Sequence, residues 1–255
     1  MKRIKTAALG VLCVCLSFSF SGCFHDVDYA KWSTDIAKTT MLSNVTVQAE
    51  NYNLGFNSST LYATGSGMIF YQDSNTYYAL TNNHVVHRQD GYSMISYTVE
   101  DCFDHEFTAS YVYGDADYDL AVVKFTNVST KDETVNLAVT RLAETNATKG
   151  RALAAIGQPQ GQDNCLTFGK VLRYEQVTIE NVDLALSNVQ FETLVHNCFT
   201  LSGSSGGAIV NEDLQIVGIH YACGTDTDGN FVEGYAVPVE KIRQFLMESG
   251  IFTLT

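Results

Sequence analysis

The chain carries most of its chemical information at residues 201–208, which read LSGSSGGA. A serine hydroxyl becomes a nucleophile only when a base removes its proton and hydrogen-bond donors stabilise the oxyanion that forms. Glycines around Ser205 allow a sharp turn that directs backbone N–H groups to one place. The stretch therefore predicts a nucleophilic serine, with the amides of Gly203 and Ser205 as its oxyanion hole. An ordinary flexible Gly/Ser turn is the alternative, because short motifs match by chance.

Two segments upstream offer the partners that such a serine needs. Residues 81–86 read TNNHVV and follow an apolar run, so a strand would deliver His84 onto a polar turn. Residues 117–125 read DYDLAVVKF and place Asp119 at the start of a buried strand. We interpret His84 as the general base, Asp119 as the group that orients its imidazole ring, and Ser205 as the nucleophile.

These assignments have structural and functional alternatives. His84 could cap the backbone of a turn, and Asp115 and Asp117 compete with Asp119 on the same loop. The sequence GSSGG also fits the G-x-S-x-G pattern of lipases and esterases, which need serine, acid and histidine in that chain order on an α/β sheet. Only one histidine follows the motif and no long helices alternate with strands, so this class is disfavoured. A catalytically inactive protein that only binds a partner is the remaining alternative.

Composition and turn spacing predict an all-β fold. Hydrophobic residues make up 45% of the chain and charged residues only 17%, with 14 tyrosines and 14 phenylalanines, a balance that favours strands. Six candidate strands fall in residues 45–130 and six in residues 150–237, separated by turn residues. Pro238 suits the first turn of a helix over residues 238–249, and Gly250 can end it. We therefore expect two six-stranded antiparallel β-barrels and a C-terminal helix.

Six stretches resemble, in the same order, segments of the trypsin-like serine proteases, and most of all the bacterial HtrA/Deg branch and the related glutamyl endopeptidases. They are TGSGMI at 64–69, TNNHVV at 81–86, DLAVVK at 119–124, GSSGGAIVN at 203–211, IVGI at 216–219 and GYAVP at 234–238. The resemblance implies a chymotrypsin-like protease domain over residues 45–250, with the substrate in the cleft between the barrels. It implies peptide-bond hydrolysis through an acyl-enzyme, without a cofactor. Since little chain follows residue 250, we expect no PDZ domain.

The resemblance also implies a specificity pocket. Thr200 lies five residues before Ser205 and His220 fifteen residues after it, the spacing of pocket residues in glutamyl endopeptidases. Together with Ile219 and Tyr221 they would line the pocket and bind a Glu, or an Asp, before the scissile bond through charge-assisted hydrogen bonds. The likeness to HtrA proteases implies a small apolar residue there instead.

The N-terminus has the layout of an export signal. Three basic residues precede an apolar stretch over residues 7–20, which is too short for an ordinary membrane-spanning helix. The stretch runs into FSGC, which resembles a bacterial lipoprotein cleavage site and implies a lipid on Cys23. Ordinary secretion with cleavage just before this cysteine is the alternative. We expect a signal peptide over residues 1–22, a tether over residues 23–44, and a lipid-anchored protein on the outer face of the membrane or in the cell envelope.

Charge limits the partners. The formal net charge is −13, and removal of the three basic residues of the signal makes it more negative still. Such a surface repels nucleic acid and anionic lipid, so we expect a polypeptide as the partner and membrane contact only through the lipid. His84 and His87 stand three residues apart, but the sequence has no CxxC and no Cys/His cluster with zinc spacing, so we expect no metal.

Four cysteines remain after the signal and the lipid-bearing Cys23 are set aside: Cys102, Cys165, Cys198 and Cys223. Four cysteines allow three pairings, and an exported location permits disulfides. Cys198 and Cys223 flank the nucleophile and form the pair we favour. Four free thiols are the alternative.

Overall fold

A computed structural model describes residues 27–54, 58–128, 135–162, 164–179, 183 and 185–252. The predicted signal peptide and the predicted lipidation site at Cys23 lie outside the described residues. Within these ranges no helix is long and apolar enough to cross a membrane.

The first half of the chain forms a closed antiparallel barrel of six strands. They are β1 (Asn44–Tyr52), β2 (Thr60–Asp73), β3 (Thr76–Thr81), β4 (Met94–Asp101), β5 (Glu106–Asp115) and β6 (Leu120–Thr126). Their order around the barrel is β1-β2-β3-β6-β5-β4. Alternate side chains of β1 are buried, as expected for a strand with one face on a core. A bulge between Ile69 and Tyr71 interrupts the register of β2 with β3, which helps a 14-residue strand to bend around the barrel.

The second half forms another closed antiparallel barrel. Its strands are β7 (Ala152–Gly157), β8 (Cys165–Gln176), β9 (Glu192–His196), β10 (Ala208–Val210), β11 (Ile216–Thr225) and β12 (Phe231–Pro238). Their order is β10-β11-β12-β9-β8-β7. The predicted pair of six-stranded antiparallel barrels is therefore confirmed.

The C-terminal helix is also confirmed. Helix α3 (Val239–Glu248) starts directly after Pro238 and buries Val239, Ile242, Phe245 and Leu246. The spacing of these four residues places them on one helical face. The ring of Phe245 lies 5.7 Å from that of Tyr118, so the helix packs on the loop that precedes β6.

The structure differs from the predicted tether over residues 29–43. Helix α1 (Tyr29–Lys38) begins after Asp28, whose side chain accepts a hydrogen bond from the Lys31 amide. Trp32 and Ile36 are buried, and the Trp32 ring lies 5.1 Å from Phe168 of the second barrel. Two apolar residues four positions apart lie on the same face of a helix, and this face packs against Phe168, far along the chain. The segment is thus part of the packed domain.

One apolar cluster joins the two barrels. It takes Met68, Leu80 and Leu120 from the first barrel and Ile156 and Leu166 from the second, all of them almost completely buried. Burial of side chains of this size contributes roughly 1.5–3 kcal/mol each. The barrels are therefore held face to face, and the loops that carry the candidate residues meet at their junction.

Candidate active site

His84 and Asp119 are in contact. His84 lies on a short helix, α2 (Asn83–Val86), that begins two residues after β3, and Asp119 directly precedes β6. The Nδ1 of His84 lies 2.8 Å from Asp119 Oδ2, and the His84 backbone N–H donates to Asp119 Oδ1 at 3.0 Å. The Asp119 side chain is 1% exposed and that of His84 is 29% exposed. Since a carboxylate accepts from Nδ1–H, the ring presents Nε2 as its free acceptor.

The loop around Asp119 is fixed by its backbone. Asp119 has a left-handed φ of 48°, a conformation that Asp tolerates better than most residues. Its carbonyl accepts a hydrogen bond of 2.7 Å from the side chain of Asn82, next to His84. The two competing acids are engaged elsewhere: Asp115 accepts from the Asp117 amide, and Asp117 accepts from Asn188. Asp119 is the carboxylate that contacts the histidine.

Ser205 lies across the barrel junction from this pair. Its carbonyl accepts a hydrogen bond of 2.7 Å from the amide of Ser66 in β2. A Cβ on Gly65 would lie 2.7 Å from Val85 and 2.8 Å from the Ser205 carbonyl oxygen, so this glycine permits the close approach. The turn of the second barrel that carries Ser205 therefore sits beside the residue that follows His84. Within the described ranges, the Ser205 hydroxyl makes no hydrogen bond.

Two amides of the serine turn are free. Three of the five N–H groups in residues 203–207 are used by backbone carbonyls, each at 2.9 Å: Ser204 donates to Leu201, Gly206 to His220 and Gly207 to Ser204. Among the described residues, the N–H groups of Gly203 and Ser205 have no acceptor. A ligand oxygen at this turn could thus accept hydrogen bonds from the same two amides that the sequence predicts as the oxyanion hole.

Gly203 and Gly206 are required by the shape of the turn. Their φ values are 95° and 86°, which an L side chain rarely adopts. A Cβ on Gly203 would collide with the Gln158 carbonyl, and one on Gly206 with the Ser66 carbonyl.

Two of the four predicted pocket residues line a cavity beside the turn. Thr200 and His220 border a space of about 10 Å³ together with Phe199 and Ser204. Both side chains are buried, and Thr200 Oγ1 and His220 Nδ1 have no hydrogen-bond partner among the described residues. Unpaired buried polar atoms of this kind cost roughly 1–3 kcal/mol each.

Ile219 and Tyr221 do not line this cavity. Ile219 packs into the core, and Tyr221 borders a separate space of about 60 Å³ beside residues 187–190. Successive side chains of a strand point to opposite faces, so the neighbours of His220 on β11 point away from the cavity that it lines. The prediction that all four residues line one pocket needs this correction.

A second histidine, His196, which the sequence does not mark as part of the site, lies against His220. The rings of His196 and His220 are 5.5 Å apart at 63°. His196 fills the place that a side chain on Gly234 would occupy. Burial lowers the pKa of His196 to about 4, against smaller opposing effects of the Cys198 backbone and the Glu233 carboxylate. Burial lowers the pKa of His220 well below its usual range, helped by the nearby rings of His196 and His84.

Cys198 and Cys223 are free thiols, so the disulfide that we favoured between them is absent from the structure. Cys198 is fully buried in the second barrel, where its thiol points to the Leu153 carbonyl at 3.7 Å. Burial raises the pKa of Cys198 to about 12, which makes its thiol a poor nucleophile. Within the described ranges, no three His, Cys, Asp or Glu side chains are grouped as metal ligands.

Comparisons with known proteins identify a family and several similar sequences. Residues 65–219 match the family described as "Trypsin-like peptidase domain". The periplasmic serine endoprotease DegP of Salmonella typhimurium is 31% identical over 184 residues, which cover 71% of this chain and 34% of that protein. The serine protease Do-like HtrA of Bacillus subtilis is 29% identical over 223 residues, which cover 82% of this chain and 46% of that protein. The chain thus spans about a third to a half of the length of these curated relatives.

Solved structures share the fold. An HtrA-type protease, AlgW with a tripeptide, is similar with a TM-score of 0.63 at 22% identity, covering 85% of this chain and 62% of that chain. An inactive form of Rv3671c from M. tuberculosis H37Rv has a TM-score of 0.63 at 18% identity, covering 89% of this chain and 96% of that chain. At these identities the likeness shows the two-barrel architecture.

Proposed function

Because the chain belongs to the trypsin-like peptidase family, we propose that it is an exported serine endopeptidase with His84, Asp119 and Ser205 as its triad. The observation that carries this proposal is the pair of hydrogen bonds that Asp119 makes to His84 beside the serine turn. Asp119 accepts from Nδ1–H and so leaves Nε2 of His84 free to take the proton of Ser205 Oγ. The bond from Nε2 to the hydroxyl then forms as substrate binds, since catalytic hydrogen bonds often tighten only in the complex.

The reaction has two steps. Ser205 Oγ attacks the carbonyl carbon of the scissile peptide bond while its proton moves to His84 Nε2, and the amides of Gly203 and Ser205 stabilise the oxyanion. His84 gives this proton to the leaving amine, and an acyl-enzyme remains. A water molecule, deprotonated by the same Nε2, hydrolyses the ester and restores Ser205.

The finer proposal is a preference for Glu before the scissile bond. The support is the unpaired Thr200 hydroxyl and the His220 ring in the cavity beside the serine turn. A carboxylate would accept hydrogen bonds from both, whereas an apolar side chain would leave them unpaired. Since the cavity measures only about 10 Å³, the tip of the side chain would occupy it. Charge-assisted hydrogen bonds of roughly 1.5–3 kcal/mol correspond to about 10- to 100-fold in kcat/KM.

Cleavage-site mapping tests the activity. An unstructured protein is digested with the exported chain, with Ser205→Ala and with Ser43→Ala, and the products are identified by mass spectrometry. Ser43 is a buried serine in another part of the fold, where its hydroxyl accepts a hydrogen bond from Thr140. We expect cuts with the wild type and Ser43→Ala and none with Ser205→Ala. Absence of cutting by all three would instead favour an inactive binding protein.

Peptides that differ only at the residue before the cut test the pocket. Glu, its uncharged analogue Gln, and Val are compared by kcat/KM. We expect Glu to exceed Gln at least about 10-fold, because Gln cannot form charge-assisted bonds with both groups. Equal or better cleavage after Val contradicts the acidic pocket and supports a small apolar preference.

Anchoring through Cys23 is a separate part of the proposal. Its support is the basic and apolar layout of residues 1–22 and the periplasmic location of the DegP relative. Cells that produce the wild type or Cys23→Ser are labelled with a fatty acid. We expect label only on the wild type, and label on neither protein contradicts a lipid anchor at this cysteine.

A further inference from the structure

Ser66 is a buried polar residue that the proposed chemistry does not use. It lies in β2 of the first barrel and has no solvent exposure. Its hydroxyl donates to the Gly203 carbonyl at 2.8 Å and accepts from the Gln158 amide at 2.9 Å. Its backbone N–H donates to the Ser205 carbonyl at 2.7 Å. One residue of the first barrel thus holds both residues whose amides are free in the serine turn of the second.

The orientation of an amide follows from its peptide unit. Each unit is planar, so a partner that fixes the carbonyl of one residue also fixes the N–H of the next. The Ser202 carbonyl accepts from the Gln160 amide at 2.6 Å, which directs the Gly203 N–H. The Ser204 carbonyl accepts from Gly207 at 2.9 Å, which directs the Ser205 N–H.

The peptide unit between these two has two partners, the Leu201 carbonyl for its Ser204 N–H at 2.9 Å and the Ser66 hydroxyl for its carbonyl. It joins Gly203 to Ser204, and its carbonyl accepts from Ser66 Oγ. Because Gly203 lacks a side chain and has a φ of 95°, little in the residue itself opposes rotation of this unit. The serine hydroxyl is also the only group that bonds to the buried Gln158 amide in the described part of the chain.

We propose that Ser66 is a positioning residue for the oxyanion hole, and that its hydroxyl keeps the Gly203 and Ser205 amides aimed at one point. The inference rests on the proposed function of these amides. Without the hydroxyl, the carbonyl of the unit that separates them loses its partner and the unit keeps only the Ser204 N–H bond to Leu201, so the turn can adopt orientations in which the two N–H groups diverge. Transition-state stabilisation then falls while substrate binding remains. Loss of one donor from such a site costs about 10²–10³ in kcat, so partial misorientation is expected to cost about 10- to 100-fold.

Separate measurements of binding and chemistry test this role. For Ser66→Ala in the full chain, kcat and KM are measured on a peptide amide, together with the inhibition constant of a matching peptide aldehyde. The aldehyde forms a hemiacetal whose oxygen occupies the oxyanion hole. We expect kcat to fall about 10- to 100-fold, the inhibition constant to rise by a similar factor, and KM to stay within about 2-fold.

Ser43→Ala is the matched control, because it removes another fully buried serine hydroxyl. A purely structural role for Ser66 predicts that both variants lose thermal stability and that neither changes kcat or aldehyde binding. That result overturns the inference. If Ser66→Ala does not fold, Ser66→Cys retains a small side chain with a weaker hydrogen-bonding group, and an unchanged kcat in it overturns the inference as well.

The test also separates this inference from the proposed function. If Ser205→Ala cleaves as well as the wild type, the proposed nucleophile is wrong and Ser66 has no hole to position. If Ser205→Ala is inactive while Ser66→Ala has normal kcat and aldehyde binding, only the role of Ser66 is wrong.

Discussion

Acid should destabilise the fold through His196, and the size of the effect follows from burial. His196 is fully buried, and its pKa is about 4, compared with 6.5 for an ordinary histidine. Between these two values the unfolded chain binds a proton that the folded chain does not, so the free energy of unfolding falls as the pH falls. The loss begins near pH 6.5 and is complete below pH 4. From pH 7 to pH 4.5 it amounts to about 2 kcal/mol for this one residue.

Urea unfolding at pH 7 and pH 4.5 measures this loss directly. The wild type is compared with His196→Leu, which removes the titrating group and keeps a side chain of similar size against Gly234. We expect the free energy of unfolding of the variant to fall by about 2 kcal/mol less than that of the wild type. Acid also destabilises the fold through His220 in both proteins, and removal of the His196 ring makes the shift of the His220 pKa smaller in the variant.

A histidine on the surface provides the control. His87 is exposed, so His87→Leu should leave the pH dependence of the wild type unchanged. Equal losses in the wild type, His87→Leu and His196→Leu would refute the reasoning. That result would mean that His196 is protonated in the fold at pH 4.5, and that its surroundings stabilise a charge there.

Three further predictions concern the serine turn and its surroundings. Asp119→Asn should lower kcat by about 10⁴-fold with little change in KM, because the amide favours the wrong tautomer of His84. Steady-state kinetics of the variant and the wild type measure this loss, and a much smaller loss would mean that the carboxylate is dispensable. Gly203→Ala should lower kcat by at least about 10² and destabilise the fold by roughly 1–3 kcal/mol, because its Cβ meets the Gln158 carbonyl; normal kcat would mean that the turn tolerates another shape. Tyr118→Phe removes the 2.9 Å hydrogen bond to Glu248 and should lower the free energy of unfolding, measured by thermal unfolding, by about 1 kcal/mol. If the double variant Tyr118→Phe/Glu248→Gln loses the same amount as Tyr118→Phe alone, the two residues act as a pair.

The fold could be predicted from local patterns because each barrel strand carries its own signal. Apolar residues alternate in β1, and turn residues separate neighbouring strands, so both barrels are visible in short windows of sequence. Helix α1 was missed because Trp32 and Ile36 are its only buried residues and they stand within a polar segment. The partner of Trp32, Phe168, lies 136 residues further along the chain, and a local sequence pattern cannot predict such a distant contact.

In the candidate site, too, the residues set in local motifs could be predicted, and the contacts that depend on the closed barrel could not. His84 and Asp119 are set in short motifs whose residue types suit their chemistry, and the structure brings them into contact. His196 was missed as a neighbour of His220 because the contact depends on the pairing of β9, β11 and β12, which only the closed barrel defines. Tyr221 was misplaced because spacing from the serine says nothing about which face of a strand a side chain occupies.

The division of the site between two barrels explains why its supports are buried polar groups. The histidine and the aspartate come from the first barrel and the serine from the second, so no single strand can set the distance between them. Apolar packing brings the barrels together without fixing their register, because it has little direction. Hydrogen bonds across the junction do have direction: Ser66 holds the serine turn, Thr46 bonds to the side chain of Gln158, and Asn83 bonds to the Leu186 carbonyl. Since a buried donor left unpaired is costly, a small shift of one barrel against the other is opposed by all of these bonds at once.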